Sequence, residues 1–164
     1  FAKRTVEGDL GMRYSATALY KAAGAKMIAG FAEVTEADVE AYMHKVEENV
    51  EYLPGNDTES KVEIAMGRAC TRLAVERHVG LLETVFTLNG PAFVQNGKDL
   101  TAVKTVVGTG GVIVNHHQPE GILKGAAYDE STLQMLKPAA PEFWIDEKYI
   151  MAKDLKIKQS IATM

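Results

Sequence analysis

The segment Val106-Val107-Gly108-Thr109-Gly110-Gly111-Val112-Ile113 holds the most chemically suggestive spacing in this 164-residue sequence. Glycines clustered after an apolar run let a backbone turn tightly and approach a flat or phosphorylated ligand without interference from Cβ atoms. Bare N–H groups at such a bend can bond ribose or phosphate oxygens, above all ahead of a helix. The segment is not a P-loop, since no Gly-Lys-Ser or Gly-Lys-Thr follows, and it lacks the GxGxxG dinucleotide spacing. On spacing alone, a tight strand-to-strand bend with no ligand is the weightier reading, because short glycine motifs are weak evidence.

Other candidates carry less. Glu7 and Asp9 lie two apart, so on a strand they share a face and could hold Mg²⁺ through water or orient a water. A solvated bend outweighs that reading, because acidic residues are common in turns. His116-His117 on a strand would point to opposite faces, and neither HExxH nor a Cys/His cluster involves them or His44 and His78. A polar loop pair therefore outweighs a metal site. Arg68, Arg72 and Arg77, with Glu63 and Glu76, decorate the polar side of a helix and read as a solvated face, Glu63 being set for contacts one turn along. Asp129-Glu130 and Asp146-Glu147 read as surface charge. Ser15, Ser60 and Ser131 sit in no GxSxG context, so acyl transfer has no support.

Composition bounds the class. Shares of 46% hydrophobic and 24% charged residues suit one ordinary globular core. Eighteen Lys and Arg against 22 Asp and Glu give a net charge of -4, with no dense basic run before residues 153–158, which disfavours a nucleic-acid partner. Cys70 is the single cysteine, so no internal disulfide forms and a cytoplasmic, reducing setting is the simplest expectation. No apolar run approaches the ~20 residues that cross a bilayer, so no membrane association is expected. The sequence begins Phe1-Ala2-Lys3-Arg4, without Met, and passes at once into a strand-like segment. It reads as a piece of a longer protein.

Several elements would have to position these residues. Residues 4–12 read as a short strand running into a glycine-bearing bend. One helix is predicted from residue 16 to about 31, weakened at Gly24 and Gly30 by up to ~1 kcal/mol each. A second opens on a Thr35–Asp38 capping box, with Val39, Tyr42, Met43, Val46 and Val50 on one stripe. A third, capped by Asp57 or Thr58, runs to about His78 with Val62, Met66, Ala69, Cys70 and Leu73 inward and Gly80 as its stop. A hairpin follows over residues 83–95 with a type I′ turn at Asn89-Gly90. Then come a strand at residues 105–107, a helix from Pro119 to about Lys137, and a strand over residues 142–150. The class is mixed α/β, with one domain over residues 1–152, a helical part over about 16–80, and a tail at 153–164.

Three stretches together carry a resemblance: Thr5 to Arg13, Arg72-Leu73-Ala74-Val75-Glu76-Arg77-His78-Val79-Gly80, and Val106 to Val114. They resemble the glutamate mutase accessory protein L family, also written MutL or GlmL, within the actin, Hsp70 and sugar-kinase ATPase superfamily. Tyr128-Asp129 to Lys137, Pro141-Glu142-Phe143 and Asp146 to Met151 fit the same family, so coverage runs from about residue 3 to about 152. The resemblance implies a ribonuclease-H-like, actin-like ATPase lobe with a helical insertion, at the C-terminal end of its parent. It implies an ATP-dependent chaperone role for adenosylcobalamin-dependent mutases, with mutase subunits and the protein's own N-terminal lobe as partners. Gly108, Thr109, Gly110 and Gly111 would match the adenosine motif, and the helix carrying Glu63 and Arg68 would flank the adenosine. ATP or ADP with Mg²⁺ would serve the full-length protein. Both phosphate motifs of the superfamily, Asp-x-Gly-(Ser/Thr) and Asp-x-Gly-Gly-(Ala/Gly)-Thr, are missing from this sequence, so it should hold half an adenosine site without catalytic residues. A protein-interaction module or pseudo-ATPase lobe is the alternative, and a small-molecule kinase of the same superfamily a weaker third.

Overall fold

Helix formation is clearest where capping and patterning agree. The structure, a computed structural model, describes residues 6–150. Within them Thr35 caps α3 (Glu36–Glu48): its hydroxyl accepts the Asp38 N–H at 3.2 Å, and the Asp38 carboxylate accepts the Thr35 N–H at 3.0 Å. This reciprocal box satisfies N–H groups that a helix start leaves without partners. Val39, Tyr42, Met43 and Val46 are buried along one stripe, as their spacing predicts. Asn56 caps α4 (Asp57–Glu76), accepting the Glu59 N–H at 2.9 Å, so the cap falls one residue before Asp57.

The predicted single helix over residues 16–31 is two. Gly24 takes a φ of 78° between α1 (Ala16–Ala23) and α2 (Ala25–Ala32), a conformation glycine adopts at little cost. Leu19, Ile28, Val39, Tyr42, Val62 and Met66 build the core between these helices, α3 and α4. The opening strand is not formed within residues 6–12, which turn back with the Leu10 N–H donating to Glu7 O. Arg4 and Thr5, the boundary at 152 and the tail at 153–164 lie outside the described residues.

α4 ends at Glu76 and Gly80 is not its stop. A Cβ on Gly80 would lie 2.6 Å from Asn96 O, so this glycine admits the close approach of two backbones at the root of the hairpin. β1 (Leu81–Thr87) and β2 (Gly90–Asn96) pair antiparallel, with Thr87 opposite Gly90 and Leu88-Asn89 as the loop. Positive φ falls on Gly90 at 110° and on neither Leu88 nor Asn89, so the turn is not the predicted type I′.

The second sheet is a parallel pair, β3 (Thr105–Gly108) beside β4 (Glu142–Ile145). A short helix, α5 (Gly111–Val114), follows β3, and the helix predicted from Pro119 to about Lys137 is broken into α6 (Pro119–Leu123) and 3₁₀ turns at Lys124–Ala126 and Glu130–Thr132. Gly125 explains part of this: a Cβ there would lie 2.3 Å from Arg68 O, because the chain abuts the backbone of α4. The strand predicted over 142–150 stops at Ile145. The described residues thus form a mixed α/β fold in which α4 packs against α1, α2 and α3 and also against α6 and its following turn. No helix among them is long and apolar enough to cross a membrane.

Candidate functional site

The end of β3 is built around absent side chains. Gly108 is buried, and a Cβ there would come within 2.8 Å of the Leu123 side chain. Gly110 sits at φ 103° with nothing within 4 Å of a Cβ position, so its bare side is open. Its carbonyl accepts the N–H groups of Ile113 and Val114 at 3.0 and 2.9 Å, which starts α5. The bend is therefore strand-to-helix, not strand-to-strand. From the other side the Asp146 N–H donates to Gly108 O at 2.9 Å and extends the β3–β4 ladder to the bend.

Across from the bend lies the middle of α4. Thr109, Gly110 and Gly111 face Gly67, Cys70 and Thr71 over a depression of about 240 Å³, with Met12, Ile113 and Ile122 adding an apolar lining. Positions 67, 70 and 71 share one helix face, and Ile122 and Met12 pack at 3.1 and 3.2 Å from where a Gly67 Cβ would stand. That small-residue spacing is the signal by which the sequence could have marked α4's contribution. Burial pushes the Cys70 thiol up to about 11, which disfavours its thiolate form. The Thr71 hydroxyl is spent on its own helix, donating to Gly67 O at 3.0 Å. A second depression, of about 260 Å³, lies at Asp38, Tyr42, Asn56 and Glu59. Its carboxylates are already engaged: Asp38 in the α3 cap, and Glu59 with Lys45 at 2.6 Å and the Gly55 N–H at 2.7 Å.

Glu63 and Arg68 do not line the depression at the bend. Glu63 is buried and ion-paired with the Arg13 guanidinium, while the Arg68 guanidinium lies 4.3 Å above the centre of the Phe31 ring. The structure brings Thr109, Gly110 and Gly111 together with α4, sets Gly108 beneath them, and directs these two side chains elsewhere.

The polar side of α4 is not the solvated face its pattern suggested. Arg72 pairs with Glu76 at 2.6 Å and donates to the Ser131 hydroxyl at 2.7 Å. Asp129 lies 3.5 Å from Arg72, and Lys137 is wholly buried with its Nζ 3.6 Å from Asp129 and 3.7 Å from Glu76. Burial pushes the Lys137 ammonium below its ordinary value, against the pull of those carboxylates. Asp129 and Asp146 are thus not surface charges: the first joins this cluster, and the second is buried with its carboxylate accepting the Ile150 N–H at 2.8 Å.

Glu7 and Asp9 grip Arg77, which donates to them at 2.7 and 2.8 Å. Those bonds raise the guanidinium's affinity for its proton and hold the Asp9 carboxyl below the usual carboxylate range. The two acids tie the opening bend to the end of α4 through ion pairs that stay open to solvent. His116 and His117 meet edge to face with ring centres 6.2 Å apart, and burial pushes His116 down. Among the described residues no three His, Cys, Asp or Glu side chains converge as metal ligands would.

A family model described as MutL protein matches residues 1–157. Protein MutL of Clostridium tetanomorphum is 44% identical to the chain over 152 residues, covering 93% of this chain and 33% of that relative. The chain spans about a third of the length of the curated relative it matches. No solved structure matches it. Taken with the stretches at Thr5 to Arg13, Arg72 to Gly80 and Val106 to Val114, these matches show that the chain belongs to the MutL protein family.

Proposed function

We propose that this chain is the C-terminal, adenosine-contacting lobe of an actin-like ATPase that serves as an accessory protein to adenosylcobalamin-dependent mutases of the glutamate mutase type. The observation that carries the reading is Gly110, unobstructed where a Cβ would stand and set in the lining of an apolar slot with the small residues of α4. A flat nucleoside fits such a wall, because glycine and small side chains let it lie against backbone. At about 240 Å³ the slot is smaller than the ~300–1,000 Å³ of a complete ligand pocket, as half a site should be. The other half, with Mg²⁺ and the γ-phosphate contacts, belongs in this reading to an N-terminal lobe. Bound ATP would supply a hydrolysable phosphate. The residues here hold the nucleoside end, with Thr109, Gly110 and Gly111 above it and Gly67, Cys70 and Thr71 below. Lobes closing on the nucleotide would alter the surface offered to the mutase.

Calorimetric titration with ADP tests this. The 164-residue chain should bind weakly at best and hydrolyse nothing, while the full-length protein binds ADP and loses that affinity on Gly111→Val, where a Cβ meets only Asn115 Nδ2 at 3.7 Å, with its circular dichroism unchanged. Nanomolar affinity or steady hydrolysis by the 164-residue chain would overturn the half-site reading. The second reading, an interaction module without a nucleotide role, draws on the exposed hairpin. It gains if Gly111→Val leaves ADP binding intact and abolishes mutase association.

A further inference from the structure

Two short helices bring apolar side chains to the depression at the glycine bend, α5 through Val112 and Ile113 and α6 through Ile122. α6 also packs against the residues that build the bend and its far wall. A Cβ on Gly67 would lie 3.1 Å from Ile122, and one on Gly108 would lie 2.8 Å from Leu123. The seating of α6 therefore fixes part of the slot. Five residues make a helix that is marginal by itself, and the side chain of Gln118 does not cap it.

What holds its start is a histidine. His116 is half-buried in the connection between α5 and α6, and its Nδ1 accepts the Gln118 N–H at 3.0 Å. A backbone N–H can only donate, so Nδ1 must be bare and the proton of the neutral ring sits on Nε2. Protonation fills Nδ1. A donor would then face a donor, and the bond at the start of α6 is lost.

The charged and titratable groups facing His116 are Glu63 of α4, which is ion-paired with Arg13 of the opening bend, and the neighbouring His117. Burial, the largest influence, and His117 disfavour a charged ring, while Glu63 favours it, and the balance falls below the ordinary histidine value. The neutral, bonded ring is thus the form present at neutral pH. A ring that gains a proton has the Glu63 carboxylate to turn toward.

We propose that His116 is a proton-operated brace for the slot: neutral, it fixes the start of α6, and protonated, it releases α6 and weakens the grip on the nucleotide. This rests on the nucleotide reading of the slot, and it names how that site is regulated. His116 is a positioning residue, because it acts through Ile122 and touches no ligand itself.

Titration of the full-length protein with ADP at about pH 8 and about pH 5 reads the brace. Amide hydrogen exchange over residues 118–123, without nucleotide and corrected for the intrinsic effect of pH, reads it independently. His116→Asn is the reference, since Asn offers an acceptor to the N–H two residues on and does not titrate in this range. His116→Gln replaces it if circular dichroism shows the Asn variant unfolded. ADP affinity should fall at least about threefold further in the wild-type protein than in the Asn variant, the scale of one hydrogen bond. Protonation of the nucleotide's own phosphate cancels in that comparison. Exchange over residues 118–123 should quicken at low pH in the wild type alone, with residues 62–69 of α4 unaffected. His117→Asn, at the exposed neighbour, should leave both effects in place. Equal pH profiles for wild type and His116→Asn overturn the proposal, as does loss of the effect with His117→Asn or an α6 whose exchange ignores pH. If ADP fails to bind even at about pH 8, it is the nucleotide reading that falls, and the exchange of α6 alone then upholds or overturns the brace.

Discussion

Residues 36–76 and residues 81–96 carry comparable densities of apolar side chains, yet Val39, Val46, Val62 and Met66 are fully buried while Phe86 and Phe93 stand in solvent. The difference lies in the number of layers. A helix with one apolar stripe is completed by another helix, and α3 and α4 find such neighbours in α1 and α2. A two-stranded ribbon has two faces and needs a layer on each, and the helices supply neither. The same hydrophobic content therefore becomes a core in one region and an exposed surface in the other.

Paired truncations break or uphold this contrast most sharply. Leu19→Ala should cost about 3 kcal/mol, since the side chain is fully buried among packed helices. Phe86→Ala, although it removes more atoms, should stay within about 0.5 kcal/mol. Guanidinium denaturation of the two variants at a concentration too low for self-association gives both numbers, and similar losses would mean that the arm is covered within the monomer.

The next effect belongs to the helical side alone. Glu59 is buried at the start of α4, and its hydrogen bond with Lys45, followed by those from the Gly55 N–H and the Tyr52 hydroxyl, pulls its carboxyl from 4.5 down to about 2. A carboxyl held down in the folded state stabilises it fully above the ordinary value, and this contribution fades as pH falls toward the folded one. Glu59→Gln should therefore cost about 2 kcal/mol at neutral pH, with the gap closing between about pH 4.5 and pH 2. Urea unfolding curves at a series of pH values check it, and a gap independent of pH would show that the carboxylate's charge plays no part.

Smallest, and of opposite sign, is Gly30→Ala. Gly30 lies inside α2 with nothing within 4 Å of a Cβ position, so alanine should raise the melting temperature by the equivalent of about 0.5–1 kcal/mol. Gly24→Ala, at φ 78°, should lower it, which separates a helical glycine from a hinge glycine.

Local signals read well wherever one segment contains its own cause. The Thr35–Asp38 box, the stripe from Val39 to Val46, the hairpin and the strand ahead of Gly108 are all of this kind. Partners distant in sequence were not legible. Arg13 meets Glu63 across 50 residues, Arg77 meets Asp9 across 68, and Lys137 closes a charge cluster with Glu76 and Asp129. Each of these side chains, read in its own segment, has the spacing of a solvated face or a turn. The α4 side of the depression at the bend went unseen for the same reason, since Gly67, Cys70 and Thr71 looked like ordinary members of a helix.

By itself the amino-acid order determined the family, the Thr35–Asp38 cap, the apolar stripes and the glycine bend, because each depends on residues within a turn or two of one another. Tertiary structure alone decided what each glycine was for: Gly80 and Gly125 admit a neighbouring backbone, Gly24 divides a helix, and Gly110 leaves a surface open. A missing Cβ is the same at every position. Its meaning comes from the atoms that the fold sets against it, and those come from elsewhere in the chain.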